Sequence, residues 1–475
     1  MPRYEFVEGT SSKFWEITLE GKSFTTKFGK IGTAGQSSNK AFGSDAEAKK
    51  EYDKLIAEKV KKGYQPAGGG NGAEAKHAKP RPKATGEVVT GPNDARNPEL
   101  EAALIADPGD RQAWAVFADW LQEQGDPRGE LISLQLANKD KQAQALIEKR
   151  ADYFLGKLAE HQTVHDEGSN NSVSHLRTKE QEEAWQKTQT QAFLWRNGFI
   201  WRVRLSHDSY SDEAYKGKTV DILRDVLEHP SGRFVTEFAF HSNGDPNEDD
   251  LQDLIDLLGE KAPVTTRKIS FGDNVDQISW HHTGNLDKLW KGVPNLKTLE
   301  IETGEFEVGK MNAPALERAI FITGGLSQTC GEGIAEASMP SIKHLEIYYG
   351  SEDYGAGCSV AEVQKLLKRT DLLHLEYLGL KNSEFADDIA RALKGANVLK
   401  TVKTLDLSLG TMTDEGAQAL VAAKDSLKHL DCLDLTRNFL SEEGVKAVKG
   451  LCKKVITAEQ EESEDEDYRY VAIAE

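Results

Sequence analysis

Cysteine is scarce in this sequence: Cys330, Cys358, Cys432 and Cys452 are the four in 475 residues. None forms a C-x2-C pair and no histidine cluster completes a zinc spacing, so no metal site and no disulfide framework is expected. Thiols this few and scattered fit a reducing compartment. Long apolar runs are missing as well. No stretch of 18 apolar residues occurs, and the opening MPRYEFVEGT lacks the apolar core of a signal peptide. Together these absences lead us to expect a cytoplasmic protein that neither crosses nor binds a membrane. Catalytic hallmarks are absent too. GGLSQTCGEG around Cys330 lacks the lysine and spacing of a phosphate loop and reads as a loop insertion. His161 and His165 stand four apart on an expected helix without a visible third ligand, and His281-His282 follow no known ligand spacing. Neither an enzyme nor a bound cofactor is expected.

Charge is plentiful and uneven. The net charge is -19, yet residues 1–97 carry 17 Lys+Arg against 12 Asp+Glu, or +5, leaving -24 for the remainder. Phosphates are repelled by a negative surface, so any nucleic-acid contact belongs to the first 97 residues. Seven of the nine residues 459–467 are Asp or Glu, which reads as a solvated acidic loop before the terminal YRYVAIAE.

Five segments follow from patterning. Residues 1–64 read as short strands, with turns at Gly21 and Gly32–Gly35, followed by a helix. Ser44 or Asp45 caps that helix, and Tyr52, Leu55, Ile56 and Val60 fall on one face. Residues 65–96, rich in Gly, Ala, Pro and Lys, read as a flexible linker. Residues 97–197 read as helical, with Asn97 as cap, Pro98 at the first helical position, and Trp114, Phe117, Ala118 and Leu121 on one apolar face. Residues 198–458 repeat, and residues 459–475 form the acidic loop and a C-terminal cap.

The repeat core is L-x-x-L-x-L, clearest at Leu430, Leu433 and Leu435 with Asn438 following. Aligned copies place the shared position at Val203, Phe238, Ile269, Leu299, Leu345, Leu378, Leu405 and Leu433. The steps between them are 35, 31, 30, 46, 33, 27 and 28 residues, and the 46-residue step implies an insertion within 303–340. Each repeat supplies a strand and a covering helix, and stacking buries what one repeat leaves wet. The expected fold is an α/β solenoid, a leucine-rich-repeat horseshoe of parallel strands plus helices. A small N-terminal α+β domain and a helical middle segment accompany it. Asn438 is expected to satisfy backbone groups at its turn.

Three family resemblances complete this picture. FWEITLEGKSFTTKFGKIGTAGQ and AFGSDAEAKKEYDKLIAEKVKKGY resemble the WGR domain, through Trp15, Gly32, Thr33, Gly35 and the Lys-Lys-Gly-Tyr end. The namesake Trp-Gly-Arg reads Phe28-Gly29-Lys30, which keeps an aromatic and a cation but loses the guanidinium fork. In poly(ADP-ribose) polymerases this domain helps bind broken DNA ends, so the resemblance implies Lys13, Lys27, Phe28 and Lys30 as nucleic-acid candidates. ADPGDRQAWAVFADWLQEQGDPRGELISLQLA resembles a bacterial repeat-companion domain of unknown function. LDLSLGTMTDEGAQAL, LDLTRNFLSEEGV and YRYVAIAE resemble a bacterial leucine-rich-repeat family that often accompanies WGR domains.

Residues flanking the inward leucines would line the concave strand face. The partner-binding candidates are Arg202, Arg204, Glu300, Glu302, Glu346, Tyr348, Tyr377, Lys381, Asp406 and Asp434, beside Glu237, His241, Lys268, His344 and Thr436. Tyr348 and Tyr377 are the expected anchors, since tyrosine offers contact area with few rotors to freeze. The expected function is a non-enzymatic scaffold that binds a protein on this face. The alternative is a nucleic-acid-associated regulatory or repair factor acting through residues 1–64.

Overall fold

The computed structural model describes residues 3–8, 11–31, 36–61, 65–66, 94–162, 191–207, 219–242, 251–272, 278, 281–462 and 469–474. The chain forms two compact units, Met1–Thr85 and Gly86–Glu475. Residues 67–93 of the linker expected at 65–96, the Gly32–Gly35 turn, His165 and the centre of the acidic run lie outside the described residues.

The smaller unit is an antiparallel sheet with one helix. Strands β1 (Arg3–Glu8), β2 (Ser11–Glu20), β3 (Ser23–Lys30), β4 (Gln36–Ala41) and β5 (Gln65–Pro66) lie in the order β4-β3-β2-β1-β5. Gly21, at φ +56°, makes the tight turn between β2 and β3. Ser44 accepts from the Glu47 N–H at the start of α1 (Asp45–Lys61), and Tyr52, Leu55 and Ile56 of α1 pack on Trp15, Ile17 and Phe24. Alternation along β2 and β3 puts these apolar residues on one sheet face, which α1 covers.

The larger unit begins with helices α2 (Pro98–Ala106), α3 (Arg111–Glu123), α4 (Arg128–Leu136), α5 (Asp140–Lys149) and α6 (Ala151–Phe154). Asn97 caps α2 by accepting from the Leu100 N–H, and Pro98 sits in its first turn. Trp114, Phe117, Ala118 and Leu121 of α3 share a core with Phe199 and Phe234 from the repeat region. Helix and repeat therefore bury one another. The seam between them carries a buried polar junction. Arg128 pairs with Asp126 at 3.2 Å, and its guanidinium donates to the Tyr153 hydroxyl and to Ser231 Oγ, which in turn donates to the Phe154 carbonyl.

Sequence reading extends this helical segment to residue 197. Its second part, 163–190, lies outside the described residues, and Phe193–Arg196 is a strand, β6. Gly198 (φ +80°) lets β6 turn straight back into β7 (Phe199–His207), and a Cβ there would stand 2.6 Å from Ile132.

Among the described residues the main sheet has eleven strands. After β7 come α7 (Thr219–Glu228), β8 (Glu237–Ser242), α8 (Gln252–Lys261), β9 (Lys268–Phe271), β10 (His282–Asn285), α9 (Leu289–Gly292), β11 (Thr298–Glu302) and β12 (Glu305–Glu307). The chain continues through β13 (Arg318–Ile322), α10 (Gln328–Glu336), β14 (His344–Gly350), α11 (Val360–Leu367), β15 (Tyr377–Ser383), α12 (Ala386–Ala392) and β16 (Thr404–Asp406). It ends with α13 (Asp414–Ala422), α14 (Lys424–Leu427), β17 (Cys432–Asp434), α15 (Glu442–Val448) and β18 (Val455–Ile456). The order across the main sheet is β18-β17-β16-β15-β14-β13-β11-β9-β8-β7-β6, and neighbours pair in parallel throughout, except that β6 runs antiparallel to β7. Strands β10 and β12 form a separate parallel pair.

The shared repeat positions meet in register: Val203, Phe238, Ile269, Leu299, Ala319, Leu345, Leu378, Leu405 and Leu433 are consecutive Cα partners, all buried in one core. Ala319 corrects the expected insertion. The 46-residue step holds a further strand and helix, β13 and α10, and so divides into steps of 20 and 26 residues. Cys330 lies buried on α10, so residues 328–333 of its glycine-rich stretch are helix rather than loop, while 324–327 precede the helix. The core position predicts that Leu405→Ala lowers the urea unfolding free energy by about 2–5 kcal/mol, while Leu373→Ala, at an exposed position, changes it little.

Four repeats leave the sheet by the same device. Four residues past the shared position stand Asn382, Leu409, Arg437 and Glu459, all with φ between 52° and 69°. Only asparagine among these visits that left-handed region readily. The turn is therefore imposed by the repeat and not by local preference.

His229 adds an acid-sensitive contact beside Arg128. Its Nδ1 accepts from the Ser231 N–H at 3.1 Å, while Nε2 is buried without a hydrogen-bond partner among the described residues. Burial, aided by the Arg128 charge, lowers its pKa from 6.5 to about 4. The folded state thus binds the proton less readily than the unfolded chain. Stability is full above pH 6.5 and falls as pH drops towards 4. We expect roughly 1 kcal/mol lost by pH 5, discounted for partial solvent access, and His229→Gln should flatten that limb of a urea-midpoint against pH curve.

Candidate protein-interaction face

The strands present a second face, opposite the leucine ladder, because successive side chains point to opposite sides. Register arranges this face in rows. One row runs Arg202, Glu237, Lys268, Thr298, Arg318, His344, Tyr377 and Thr404. The next runs Arg204, Ala239, Ser270, Glu300, Ile320, Glu346, Gly379, Asp406 and Asp434. Neighbouring strands about 4.8 Å apart bring each residue against its row neighbours.

The two ends of the face differ. Towards β7, Arg202, Glu237, Lys268, Glu300 and Arg318 are half-buried. Lys268 pairs with Glu300 at 2.5 Å, and Arg318 Nε stands 3.9 Å from the same carboxylate. Burial raises the Glu237 pKa, against the lowering pull of Lys268 and Arg202. This end therefore alternates basic and acidic side chains that reach solvent.

Towards β16 the face is a closed network. Glu346 accepts from the Tyr348 hydroxyl at 3.0 Å and from Lys381 Nζ at 3.1 Å, and its other oxygen lies 3.0 Å from His344 Nε2. Lys381 also pairs with Asp406 at 3.2 Å, and the Tyr377 hydroxyl donates to Asp406 at 2.6 Å. The His344 and Tyr377 rings stack at 4.0 Å. Gly379 makes room for this: a Cβ there would stand 3.0 Å from Glu346 and 3.3 Å from both Lys381 and Tyr377. Burial raises the Glu346 pKa, but the His344 hydrogen bond and the Lys381 charge outweigh it and leave the carboxyl at about 2. Lys381 stays charged: burial opposes its proton, and Tyr348, Asp406 and Glu346 hold it more strongly. Burial pushes the Tyr348 and Tyr377 hydroxyls above the usual tyrosine range. The cluster is suited to hold shape, since every charge already has an opposite partner.

Of the expected partner-binding residues, Arg202, Glu300, Tyr377 and Asp434 are partly open. Arg204, Glu302, Glu346, Tyr348, Lys381 and Asp406 are buried, with Tyr348 only 2% exposed. Tyr348 is therefore no free anchor. Its ring lies under Lys381 Nζ at 4.9 Å and in an apolar cluster with Ile278, Leu409 and Ile473. The side chain of His241 lies outside the description. Arg318 escaped the sequence reading because its strand did.

In the smaller unit, Phe28 is 43% exposed and is the Cα partner of Trp15, so it sits on the sheet face that α1 covers. Lys13 and Lys30 are Cα partners two positions along. Lys27 is the partner of Glu16, on the opposite face by alternation. The four candidates thus do not share one face. Among the described residues no group of three His, Cys, Asp or Glu could hold a metal ion, and no helix is long and apolar enough to cross a membrane.

Comparison with known proteins places these two units. Residues 3–71 match the WGR domain model, and residues 398–421 match a leucine-rich-repeat model. The chain carries a WGR domain at its N-terminus and leucine-rich-repeat sequence in its larger unit. Its WGR region is 43% identical over 63 residues to the uncharacterized protein YfeS and 44% identical over 64 residues to protein YehF, both of Escherichia coli (strain K12). Those stretches cover 13% and 14% of this chain and only 26% and 23% of the two bacterial relatives. A crystal structure of a Bacteroides fragilis protein aligns over 97% of both chains with 21% identity and a TM-score of 0.45.

Proposed function

We propose that this is a non-enzymatic interaction protein whose larger unit, a leucine-rich-repeat solenoid of horseshoe form, binds a protein partner on its concave sheet face. The observation that carries this is the half-buried row Arg202, Glu237, Lys268, Arg318 with Glu300 beside it, borne by five adjacent repeats. Alternating charge of this kind selects a complementary surface and steers its approach. Tyr377 borders the row, where the closed network begins. We place the protein in the cytoplasm on its few, scattered thiols.

The test is charge reversal in the full chain. Arg202→Glu with Lys268→Glu should abolish co-purification of the partner, whereas Lys365→Glu with Lys446→Glu, on helices α11 and α15, should leave it intact. A partner retained by the first pair refutes the face. A partner lost by both pairs refutes its specificity.

A second reading is favoured by exposed Phe28 beside the Lys13–Lys30 pair: contact with nucleic acid through the WGR domain. It requires that the full chain bind nicked or blunt duplex at physiological salt and that Phe28→Ala weaken the binding.

A further inference from the structure

The chain's own C-terminal residues occupy a formed site. Residues 469–474 return to the array and cross the ends of the strands. Ile473 donates its N–H to Asn382 Oδ1 at 2.9 Å, and its carbonyl accepts from Asn382 Nδ2 at 2.6 Å. One side-chain amide thus satisfies both backbone groups of one residue, as a neighbouring strand would. Ala472 N–H donates to the Leu409 carbonyl at 3.0 Å. The Ile473 side chain is 2% exposed, among Tyr348, Leu409, Ile278 and Ile322. At Gly324 a Cβ would stand 2.2 Å from the Ala474 carbonyl, so the peptide passes directly over that backbone.

These contacts come from β13, β14, β15 and the turn after β16, so stacking of the repeats creates the site. The left-handed turns at Asn382 and Leu409 aim an amide and a carbonyl at the incoming chain. Backbone bonds of this type supply affinity without regard to sequence, while a side-chain pocket supplies selectivity. The pocket takes one branched aliphatic residue, and the glycine and the close backbone favour small residues on either side.

We infer that this groove is a peptide-binding site whose ligand is an extended segment of another protein with a small–branched aliphatic–small pattern, and that residues 471–474 fill it in cis. The site is separate from the charged row and does not depend on it. Carried on the same chain, the cis segment has an effective concentration on the order of millimolar, so a ligand in trans must displace it.

The probe is a fluorescent peptide copying residues 469–475, titrated by anisotropy into the full chain and into variants. Ile473→Asp releases the cis segment by placing a charge in the apolar pocket. Ala472→Pro is the second release variant, removing the N–H given to Leu409. The released chains should bind the peptide about 10²-fold more tightly than the intact chain. Asn382→Gly, which keeps the left-handed backbone but removes the amide, should abolish that gain when combined with either release. Thermal unfolding of each variant reports whether the array is folded. The inference is overturned if folded, released chains do not bind the peptide. It is equally overturned if intact and released chains bind alike, or if Asn382→Gly leaves binding unchanged.

Discussion

Arg128→Ala should lower the unfolding free energy of the larger unit by about 3–5 kcal/mol, the cost of stranding a buried partner charge. Arg128 and Asp126 expose 1% and 2% of their side chains, so water cannot take over when one is removed. Truncation would also leave Ser231 Oγ and the Tyr153 hydroxyl without their donor and open a cavity between helix and repeat. Because α3 and α4 share their core with Phe199 and Phe234, loosening this seam exposes the first repeat. The measurement is a urea titration followed by tryptophan fluorescence, with Arg128→Ala, Asp126→Asn and the double variant. The double variant should recover part of the loss, since it strands no charge. A loss below about 1 kcal/mol for Arg128→Ala would mean that the pair is solvated in solution.

The second large effect is expected at Asn438, which is fully buried. Its Nδ2 donates to the carbonyls of Leu407 and Leu435, and its Oδ1 accepts from the Met412 N–H. One side chain therefore ties the end of β17 to the loop after β16. Asn438→Ala orphans these buried groups at about 1–3 kcal/mol each. Asn438→Asp keeps the acceptor but loses both donated bonds and adds a charge, so it should be no milder. Hydrogen exchange would localise the damage: protection should fall in β16 and β17 first and in β7 to β9 last, because a repeat array is held by neighbour interfaces. Uniform loss along the sheet would contradict that picture.

The leucine ladder was legible because its signal is local. Leu430, Leu433 and Leu435 fix a strand, and spacing fixes the stacking partner. Strand β13 was not, since Ala319 stands where the pattern asks for a large aliphatic residue and the preceding step is only 20 residues. Phe321, two residues on, is buried in the same core and stacks on Phe306 at 5.7 Å. The outward face was legible as positions but not as exposure. Which side chains alternate outward follows from period two, whereas the burial of Tyr348 depends on Ile473, far along the chain. The burial of Lys381 likewise depends on carboxylates from two neighbouring repeats. The aromatic face of α3 was readable from helical spacing, but that it would be completed by Phe199 and Phe234 was not.

The two margins of the eleven-stranded sheet are unlike its interior. At one margin β6 reverses direction; at the other β18 is two residues long. A parallel array with open, full-length borders would invite a second molecule to continue the hydrogen-bond ladder, and then a third. Here a newcomer continuing the parallel ladder meets an antiparallel strand on one side and a two-residue template on the other. A margin as short as β18 blunts that edge against a second molecule.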